Sequence, residues 1–226
     1  MRSIFVTGTD TDAGKTWVTG GIAAAMRLRG LNVLPAKPVQ TGCVNGNAPD
    51  LDNALSLCGA VVSRELKEQL CPVRFPTPCS PDLAAELAGA SIDFQKLVSS
   101  LRKLASAKSL IAEGAGGVLV PLGGGRTMLD LMKELGWPVV LVVRNRLGCI
   151  NHSLLSLRML KTAGLEVAGV VMNQADPPEE PVSSANVRAI EEYGGIPVIG
   201  RIPFSPDGVT VEMFRETAHR LERFLK

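Results

Sequence analysis

The feature that most constrains this chain is a glycine turn close to its start. Residues 4–16 read Ile-Phe-Val-Thr-Gly-Thr-Asp-Thr-Asp-Ala-Gly-Lys-Thr, an apolar run followed by a loop that ends in Gly14-Lys15-Thr16. Glycines and a helix start bring backbone N–H groups together around an anion, Lys15 reaches the outer phosphates, and the Thr16 hydroxyl can ligate magnesium. The pattern predicts a strand, a nucleotide phosphate loop and a helix in succession.

This loop is one residue longer than the standard motif G-x-x-x-x-G-K-[ST]. The residues Thr9 to Ala13 separate Gly8 from Gly14. The alternative is a strand-to-helix turn with an exposed lysine and no ligand. The apolar strand, the Gly-Lys-Thr and the amphipathic helix all lie where the motif requires them, which favours the phosphate loop.

Length, composition and charge narrow the class further. A chain of 226 residues fits a single domain, spanning 1–226, and a hydrophobic content of 46% with 4% aromatic residues predicts an aliphatic core. The formal net charge of +2, without a long basic run, gives no electrostatic footprint for nucleic acid. We therefore expect no nucleic-acid partner.

Cysteine usage and hydropathy bear on the compartment. The five cysteines are scattered and form no Cys-x-x-Cys pair, which is typical of reduced thiols rather than of a zinc site or a disulfide framework. The first residues read as a strand rather than a signal peptide, and the apolar runs near Val139 and Val170 are too short to span a bilayer. We expect a soluble, cytoplasmic protein with no membrane partner.

Short β-branched runs alternate with helical periodicity along the chain. The predicted strands are Ser3 to Thr7, Asn32 to Ala36, Ser109 to Glu113, Pro138 to Val143, Val167 to Asn173 and Pro197 to Ile202. The predicted helices are Lys15 to Arg29, Leu51 to Leu57, Pro81 to Ala88, Phe94 to Ser106, Met128 to Leu135, His152 to Thr162, Ser184 to Tyr193 and Val211 to Phe224. This alternation predicts an α/β fold, a mostly parallel sheet with helices on both faces, and the phosphate loop makes it P-loop NTPase-like.

The residues that follow each strand are the candidates for chemistry, because ligands of such sheets bind beyond the carboxyl ends of the strands. Lys37 follows the second strand and precedes Pro38, while Glu113 follows the third and precedes a glycine-rich run. A second lysine near Lys15 indicates a charged transition state, and a carboxylate near Thr16 indicates a further magnesium ligand. The alternatives are a solvated surface lysine and a surface glutamate in a tight turn.

Later strand ends offer weaker candidates. Free N–H groups at the helix start near Asn151 could hold a carboxylate. His152 is more typical of a helix cap or a packed residue than of a base, and Cys149 of a small apolar filler than of a nucleophile. Asn173, which ends the fifth strand, can present both a donor and an acceptor to a purine edge.

Four segments taken together closely resemble the dethiobiotin synthetase family. The resemblance runs in order from Ser3 to about Pro206 and includes the long spacing from Gly8 to Gly14. Ala13 in place of a commoner valine and the variable region from Pro177 to Ala185 depart from the family pattern. The segments are Gly8 to Thr16, Lys37-Pro38-Val39-Gln40-Thr41-Gly42, Glu113-Gly114-Ala115-Gly116-Gly117 and Leu147-Gly148-Cys149-Ile150-Asn151-His152.

The resemblance implies an ATP-dependent ligase of biotin synthesis. In this family 7,8-diaminopelargonate captures CO2 as a carbamate on one amine, ATP phosphorylates the carbamate, and the second amine closes a cyclic urea and expels phosphate. Lys15 and Lys37 would neutralise the carbamate and the transferring phosphoryl group, with Thr11 as a further catalytic residue. Thr11, Lys37 and Thr41 would contact the diamine or the carbamate.

The resemblance also implies the nucleotide and metal ligands. Thr16, Glu113 and an aspartate from the segment after the second strand would hold Mg²⁺. The apolar pattern that begins at Leu51 favours Asp50 as this aspartate, with Asp52 as the alternative. The residues implied to contact ATP are Asp12, Ala13, Gly14, Lys15, Thr16, Trp17, Asp50, Glu113, Gly114, Ala115, Gly116, Asn173, Pro203, Phe204 and Ser205.

Members of the resembled family are homodimers whose active sites lie at the subunit interface. The helix start after the fourth strand binds the substrate carboxylate in the neighbour's site through its backbone. The residues that match this segment are Gly148, Cys149, Ile150 and Asn151. The resemblance therefore implies a homodimer with a shared site.

A partitioning or switch ATPase built on the same fold is the alternative function. That class carries a signature lysine in the loop at the position where this chain has Asp10. It also often carries an amphipathic C-terminal anchor, whereas Val211 to Lys226 reads as an ordinary mixed helix. Both differences favour the ligase.

Overall fold

A central parallel sheet organises the molecule. The computed structural model describes residues 2–225, and Met1 and Lys226, the two ends of the predicted domain, lie outside the described residues. The strands are β1 (Ile4–Gly8), β2 (Val33–Ala36), β3 (Val39–Gln40), β4 (Val73–Arg74), β5 (Ser109–Gly117), β6 (Pro121–Gly123), β7 (Arg126–Thr127), β8 (Val139–Arg144), β9 (Val167–Asn173) and β10 (Val198–Ile202). Six of them form one sheet in the order β10-β9-β8-β1-β5-β2, with every neighbouring pair parallel. The predicted mostly parallel sheet is therefore confirmed.

Helices connect these strands. They are α1 (Lys15–Leu28), α2 (Pro49–Leu57), α3 (Arg64–Leu70), α4 (Pro81–Leu87), α5 (Phe94–Ala107), α6 (Met128–Leu135), α7 (Cys149–Thr162), α8 (Val182–Gly194) and α9 (Arg215–Leu221). The segment predicted as one helix from Val211 to Phe224 is α9 between two 3-10 turns, Val211–Phe214 and Glu222–Phe224. Across residues 2–225, none of the helices combines the length and the apolar character needed to cross a bilayer.

The central strand β1 shows that helices cover both faces of the sheet. Successive side chains of a strand point to opposite faces. Phe5 belongs to a buried cluster with Leu101 of α5 and Leu131 of α6, whereas Ile4 and Val6 belong to a second cluster with residues of α1 and α9. Each face of the sheet is therefore sealed by its own helical layer.

Two adjacent glycines let α1 pack closely against its neighbours. A Cβ on Gly20 would lie 2.9 Å from the Cα of Ala54 in α2, and one on Gly21 would lie 2.2 Å from the ring of Phe214. Both distances are shorter than real Cβ contacts allow. Gly20 thus lets α2, whose first turn carries Asp50, lie close to the helix that begins at Lys15, and Gly21 leaves room for the ring of Phe214.

The strand β5 extends further than the sequence predicts. The predicted strand ends at Glu113, whereas β5 continues to Gly117, which pairs with Gly8 after a shift in register. Gly116 has a φ of 60°, and a Cβ there would lie 2.6 Å from Cγ2 of Val120. The glycine run therefore carries the end of β5 to Gly8 at the start of the phosphate loop, and a side chain at Gly116 would collide with Val120.

Several turns on the opposite edge of the sheet are open to solvent. Gly30, Gly136 and Gly164 follow α1, α6 and α7, and each has a positive φ. A Cβ at any of them would meet nothing within 4 Å. These turns lead into the amino ends of the next strands, away from the edge where the phosphate loop lies.

Candidate active site

A cavity of about 710 Å³ lies beyond the carboxyl ends of the central strands. The chain passes from β1 to the edge strand β2, returns through β5, and then crosses β1 to β8, so β1 flanks the point where the strand order reverses. Ligands of parallel sheets bind at such a point. The predicted site residues in the cavity wall are Thr11, Asp12, Gly14, Lys15, Thr16, Trp17, Lys37, Thr41, Asp50, Glu113, Ala115, Gly116 and Asn173.

The phosphate loop has a defined local structure. Its extra length is taken up by a 3-10 turn, Thr11–Ala13, which starts with the Thr11 N–H donating to Oδ1 of Asp10 at 2.7 Å. Gly14 then adopts a left-handed conformation with a φ of 92° and precedes the first residue of α1. Since other residues are strained at this φ, the glycine is required at this position.

The aliphatic stem of Lys15 lies along the loop that precedes it. Its Nζ donates to the carbonyl oxygens of Asp10 at 2.8 Å and Thr11 at 3.1 Å. A Cβ on Gly8 would lie 3.1 Å from Cδ of Lys15, so the glycine gives the lysine room. Burial and the nearby Lys37 lower the pKa of Lys15 to about 8, although Glu113 partly opposes this shift.

Lys37 lies between two carboxylates. Its Nζ is 2.5 Å from Oε1 of Glu113 and 2.8 Å from Oδ2 of Asp50, and it also donates to the Gly114 carbonyl at 3.3 Å. The side chains of Lys37 and Glu113 are 5% and 3% exposed, whereas that of Asp50 is 40% exposed. Burial lowers the pKa of Lys37, but the two carboxylates outweigh it and the pKa is raised.

The oxygen atoms next to Lys37 are of the kind that magnesium prefers. The Thr16 hydroxyl donates to Oε1 of Glu113 at 3.0 Å, and Asp50 reaches the same lysine from α2. Hydroxyl and carboxylate oxygens are hard ligands, which fit Mg²⁺. Asp52, the alternative ligand, instead forms an ion pair with Lys67 at 2.6 Å.

One wall of the cavity comes from residues that the sequence analysis does not single out as site residues. The proline-rich loop between Cys71 and Pro81 contributes Pro78, Cys79, Ser80 and Pro81, and Gln40 lies beside Thr41. The prolines are the only signal in the sequence for this wall, since they predict an ordered loop without predicting its position.

The predicted base-binding residues divide between two cavities. Asn173 lies in the wall of the main cavity and donates through Nδ2 to the Ala13 carbonyl at 3.1 Å, which ties β9 to the phosphate loop. Pro203 and Phe204 instead border a neighbouring cavity of about 330 Å³. Within residues 2–225, the walls of these two cavities do not include Ser205.

The start of α7 lies on the other side of the phosphate loop. Gly148 has a φ of 90° and precedes Cys149, which begins the helix, and both border a cavity of about 220 Å³ together with Asp10 and Asp12. Ile150 and Asn151 belong to the same first turn. His152 borders this small cavity as well, and burial raises the pKa of the Cys149 thiol. Within one chain, this helix start therefore faces the loop rather than the main cavity.

Comparison with known proteins identifies close sequence relatives. The chain matches the family model described as an AAA domain over residues 2–211. ATP-dependent dethiobiotin synthetase BioD of Anaeromyxobacter dehalogenans is 37% identical over 208 residues, covering 92% of this chain and 92% of the relative. The enzyme of that name from Pseudomonas paraeruginosa is 41% identical over 207 residues, covering 90% of each chain. The one from Bacillus cereus is 36% identical over 234 residues, covering 100% of this chain and 96% of the relative.

More distant solved structures share the fold. The MinD cell division protein from Aquifex aeolicus has a TM-score of 0.64 at 16% identity, covering 99% of this chain and 98% of that chain. Cobyrinic acid a,c-diamide synthase from Mycobacterium smegmatis, with bound ATP analog and magnesium, has a TM-score of 0.60 at 18% identity, covering 99% of this chain and 95% of that chain. The P-loop NTPase-like fold is thereby confirmed. The identity and coverage of the sequence relatives show that the chain belongs to the ATP-dependent dethiobiotin synthetase family and is an ATP-dependent ligase.

Proposed function

We propose that this protein acts in biotin synthesis by converting 7,8-diaminopelargonate, CO2 and ATP into dethiobiotin, ADP and phosphate. One amine adds to CO2 and loses a proton to give a carbamate. A carbamate oxygen takes the γ-phosphoryl group of ATP, which forms a carbamic-phosphoric anhydride and releases ADP. The second amine attacks the same carbon and loses a proton, phosphate leaves, and the cyclic urea closes.

The observation that carries this proposal is the convergence of two buried lysines in one cavity. Lys15 and Lys37 are each 4% exposed, and both lie in the wall of the cavity beyond β1. A phosphoryl transfer between two anions needs positive charge on both sides of the transferring group. Lys15, from the phosphate loop, would serve the phosphates, and Lys37, from the end of β2, would serve the carbamate.

The protein's own residues would also position the reactants. Thr11, in the 3-10 turn, and Thr41, after β3, line the same cavity and would contact the amine or the carbamate. Pro78 and Pro81 give one wall an apolar surface for the aliphatic chain of the substrate. Holding the carbamate against the phosphate loop converts a bimolecular step into an effectively unimolecular one.

The residues around Thr16 fit a magnesium ion. Thr16, Glu113 and Asp50 would hold it, since all three offer oxygen ligands at the base of the cavity. The ion would neutralise phosphate charge during the transfer. Asp52 is the weaker candidate because, within residues 2–225, the wall of the main cavity includes Asp50 but not Asp52, whose carboxylate is paired with Lys67 on α3.

The adenine of the nucleotide and the carboxylate of the substrate would be bound by segments on different sides of the phosphate loop. Asn173 and the loop Pro203–Ser205 would cradle adenine. The backbone N–H groups of Gly148–Asn151 would bind the carboxylate of the substrate held by a partner subunit, which makes the protein a homodimer with a shared site. The cysteines are free thiols, which supports a reducing, cytoplasmic location.

Turnover tests the proposed function directly. ATP hydrolysis is measured with and without 7,8-diaminopelargonate and bicarbonate, and the organic product is identified by mass spectrometry. Stimulated phosphate release with one cyclic urea formed per phosphate is expected. A rate of ATP hydrolysis that does not change when the diamine is added, with no cyclic urea formed, would contradict the proposed ligase reaction and favour a switch ATPase.

A matched variant assigns the catalytic lysine. Lys37→Ala is expected to reduce turnover by orders of magnitude while ATP still binds, because the phosphate loop and Lys15 are retained. Arg64→Ala, which removes an exposed cation that pairs with Glu68 on the surface of α3, serves as the control. Near-normal turnover by Lys37→Ala would remove Lys37 from the catalytic residues.

A further inference from the structure

A group of three amide side chains, two of them buried, connects the loops that follow β8 and β9 with the helix α8. Asn145 follows β8, Gln174 follows β9, and Asn186 lies in α8. Asn145 and Asn186 are 7% and 4% exposed. Their sequence positions are far apart, so only the fold brings these amides together.

Both donor hydrogens and the oxygen of the Asn145 side chain have hydrogen-bond partners. Its Nδ2 donates to Oε1 of Gln174 at 2.9 Å and to the Ser183 carbonyl at 3.1 Å, and its Oδ1 accepts from Nδ2 of Asn186 at 2.9 Å. The second hydrogen of the Asn186 amide reaches the Arg146 carbonyl at 3.3 Å. A network of this kind favours one arrangement of its members, because losing a partner of Asn145 or Asn186 leaves a buried polar group unpaired.

The same residues fix the backbone where the nucleotide base is proposed to bind. The Asn145 N–H donates to the Asn173 carbonyl at 2.8 Å, and the Gln174 N–H donates to the Ile202 carbonyl at 2.9 Å. Ile202 ends β10 and directly precedes the loop Pro203–Ser205. The network thus sets the relative positions of the two segments that would contact adenine.

We propose that Asn145 is a positioning residue that sets the site's preference for the base of the nucleotide. This inference rests on the proposed placement of adenine against Asn173 and Pro203–Ser205. Asn145 borders the neighbouring cavity beside Pro203 and acts through Gln174 and the ends of β9 and β10. The phosphates are held separately, by the loop between β1 and α1.

Binding of two ligands separates positioning from general destabilisation. Dissociation constants of Mg-ATP and of Mg-tripolyphosphate, which has no base, are measured by calorimetry for the full chain. In Asn145→Asp, which keeps the acceptor for Asn186 but loses both donors, ATP is expected to bind about tenfold more weakly. Tripolyphosphate is expected to bind within about twofold of the unchanged chain, since the phosphate loop keeps its contacts.

Controls keep the test decisive. Thr217→Val removes a hydroxyl that is equally buried but has no hydrogen-bond partner among the described residues, and both affinities should stay unchanged. Asn186→Ala removes the donor to Asn145 together with the 3.3 Å contact to the Arg146 carbonyl, and leaves the residues of the phosphate loop in place. It should weaken ATP about threefold while sparing tripolyphosphate, which provides a second test if Asn145→Asp does not fold. Equal weakening of both ligands, or no change in either, would overturn the inference.

The result is independent of the turnover assay, because binding of ATP and of tripolyphosphate requires no diamine. A selective loss of ATP affinity without any cyclic urea would leave the positioning role intact and remove the proposed function. Cyclic urea formation without a selective loss of ATP affinity would support the proposed function and remove the positioning role of Asn145.

Discussion

Replacing Lys37 by methionine tests how the buried charges hold the site together. The variant keeps most of the aliphatic stem but removes the ammonium that lies 2.5 Å from Glu113 and 2.8 Å from Asp50. Glu113 would then be a carboxylate with a 3% exposed side chain and, within residues 2–225, no other ion-pair partner, while Asp50 remains 40% exposed and open to water. The destabilisation should therefore come almost entirely from Glu113.

The expected loss follows from what a broken buried pair costs. Removing one partner of a buried ion pair typically costs about 3–5 kcal/mol. The Thr16 hydroxyl still donates to Glu113 at 3.0 Å, which places the expected loss near the lower end, at roughly 3 kcal/mol. For a domain of this size that corresponds to a fall in Tm of roughly 6–12 °C.

Thermal and urea unfolding without divalent cations would measure this loss. Lys67→Met is the matched control, since it breaks a pair with Asp52 whose side chains are 30% and 34% exposed and should cost no more than about 1 kcal/mol. The double variant Lys37→Met/Glu113→Gln should recover much of the loss, because the buried charge is gone. The reasoning is refuted if Lys37→Met costs no more than Lys67→Met, or if adding Glu113→Gln restores nothing.

Three further outcomes follow from charge, symmetry and burial. The pKa of Lys15 is lowered to about 8, and the negative charge of bound ATP should raise it again. Binding of ATP should therefore make Lys15 take up roughly half a proton at pH 8 but almost none at pH 6. Binding enthalpies in two buffers of different ionisation enthalpy measure this uptake, and equal enthalpies at pH 8 would contradict it. In Asn151→Asp the added charge repels the substrate carboxylate. Equimolar mixing of this variant with Lys37→Ala should restore about a quarter of normal turnover if each active site is shared between subunits. It should restore no turnover if each site belongs to one subunit. At pH 8 an alkylating reagent should modify the half-buried Cys79 well before the buried Cys71, whose pKa is raised to about 11 by burial, and equal rates by peptide mass spectrometry would count against this.

The parallel sheet could be predicted because its strands are uninterrupted apolar runs. Val139 to Val143, for example, are fully buried, as expected for a strand covered on both faces. Once the strands are assigned, topology alone brings Lys15, Lys37 and Glu113 to one edge. This part of the candidate site needed no information about side-chain contacts.

Elements without a periodic pattern could not be predicted. The strands β3 and β4 have two residues each, too few to show alternation. The helix α3, Arg64–Leu70, buries only Leu70, so its sequence has no apolar stripe. The start of α7 at Cys149 rather than near Asn151 depends on the left-handed conformation of Gly148.

Contacts between distant side chains were equally out of reach. The sequence places Lys37, Asp50 and Glu113 at the site, but the position of the ammonium between both carboxylates depends on how α2 packs against α1. The choice between Asp50 and Asp52 depends on Lys67, which lies on α3, a helix the sequence does not predict. The Asn145–Asn186 contact likewise joins the loop after β8 to α8, and no pattern in the nearby sequence predicts that these two segments pack together.

The open glycine turns at Gly30, Gly136 and Gly164 are positions where the chain could be cut or extended away from the candidate active site. They lie at the edge of the sheet opposite the candidate active site, and a Cβ on any of them would meet nothing within 4 Å. New chain ends, affinity tags or inserted domains at these turns would be separated from the cavity by the full height of the sheet. The fold thus offers attachment points for immobilising or permuting the enzyme while its active site stays intact.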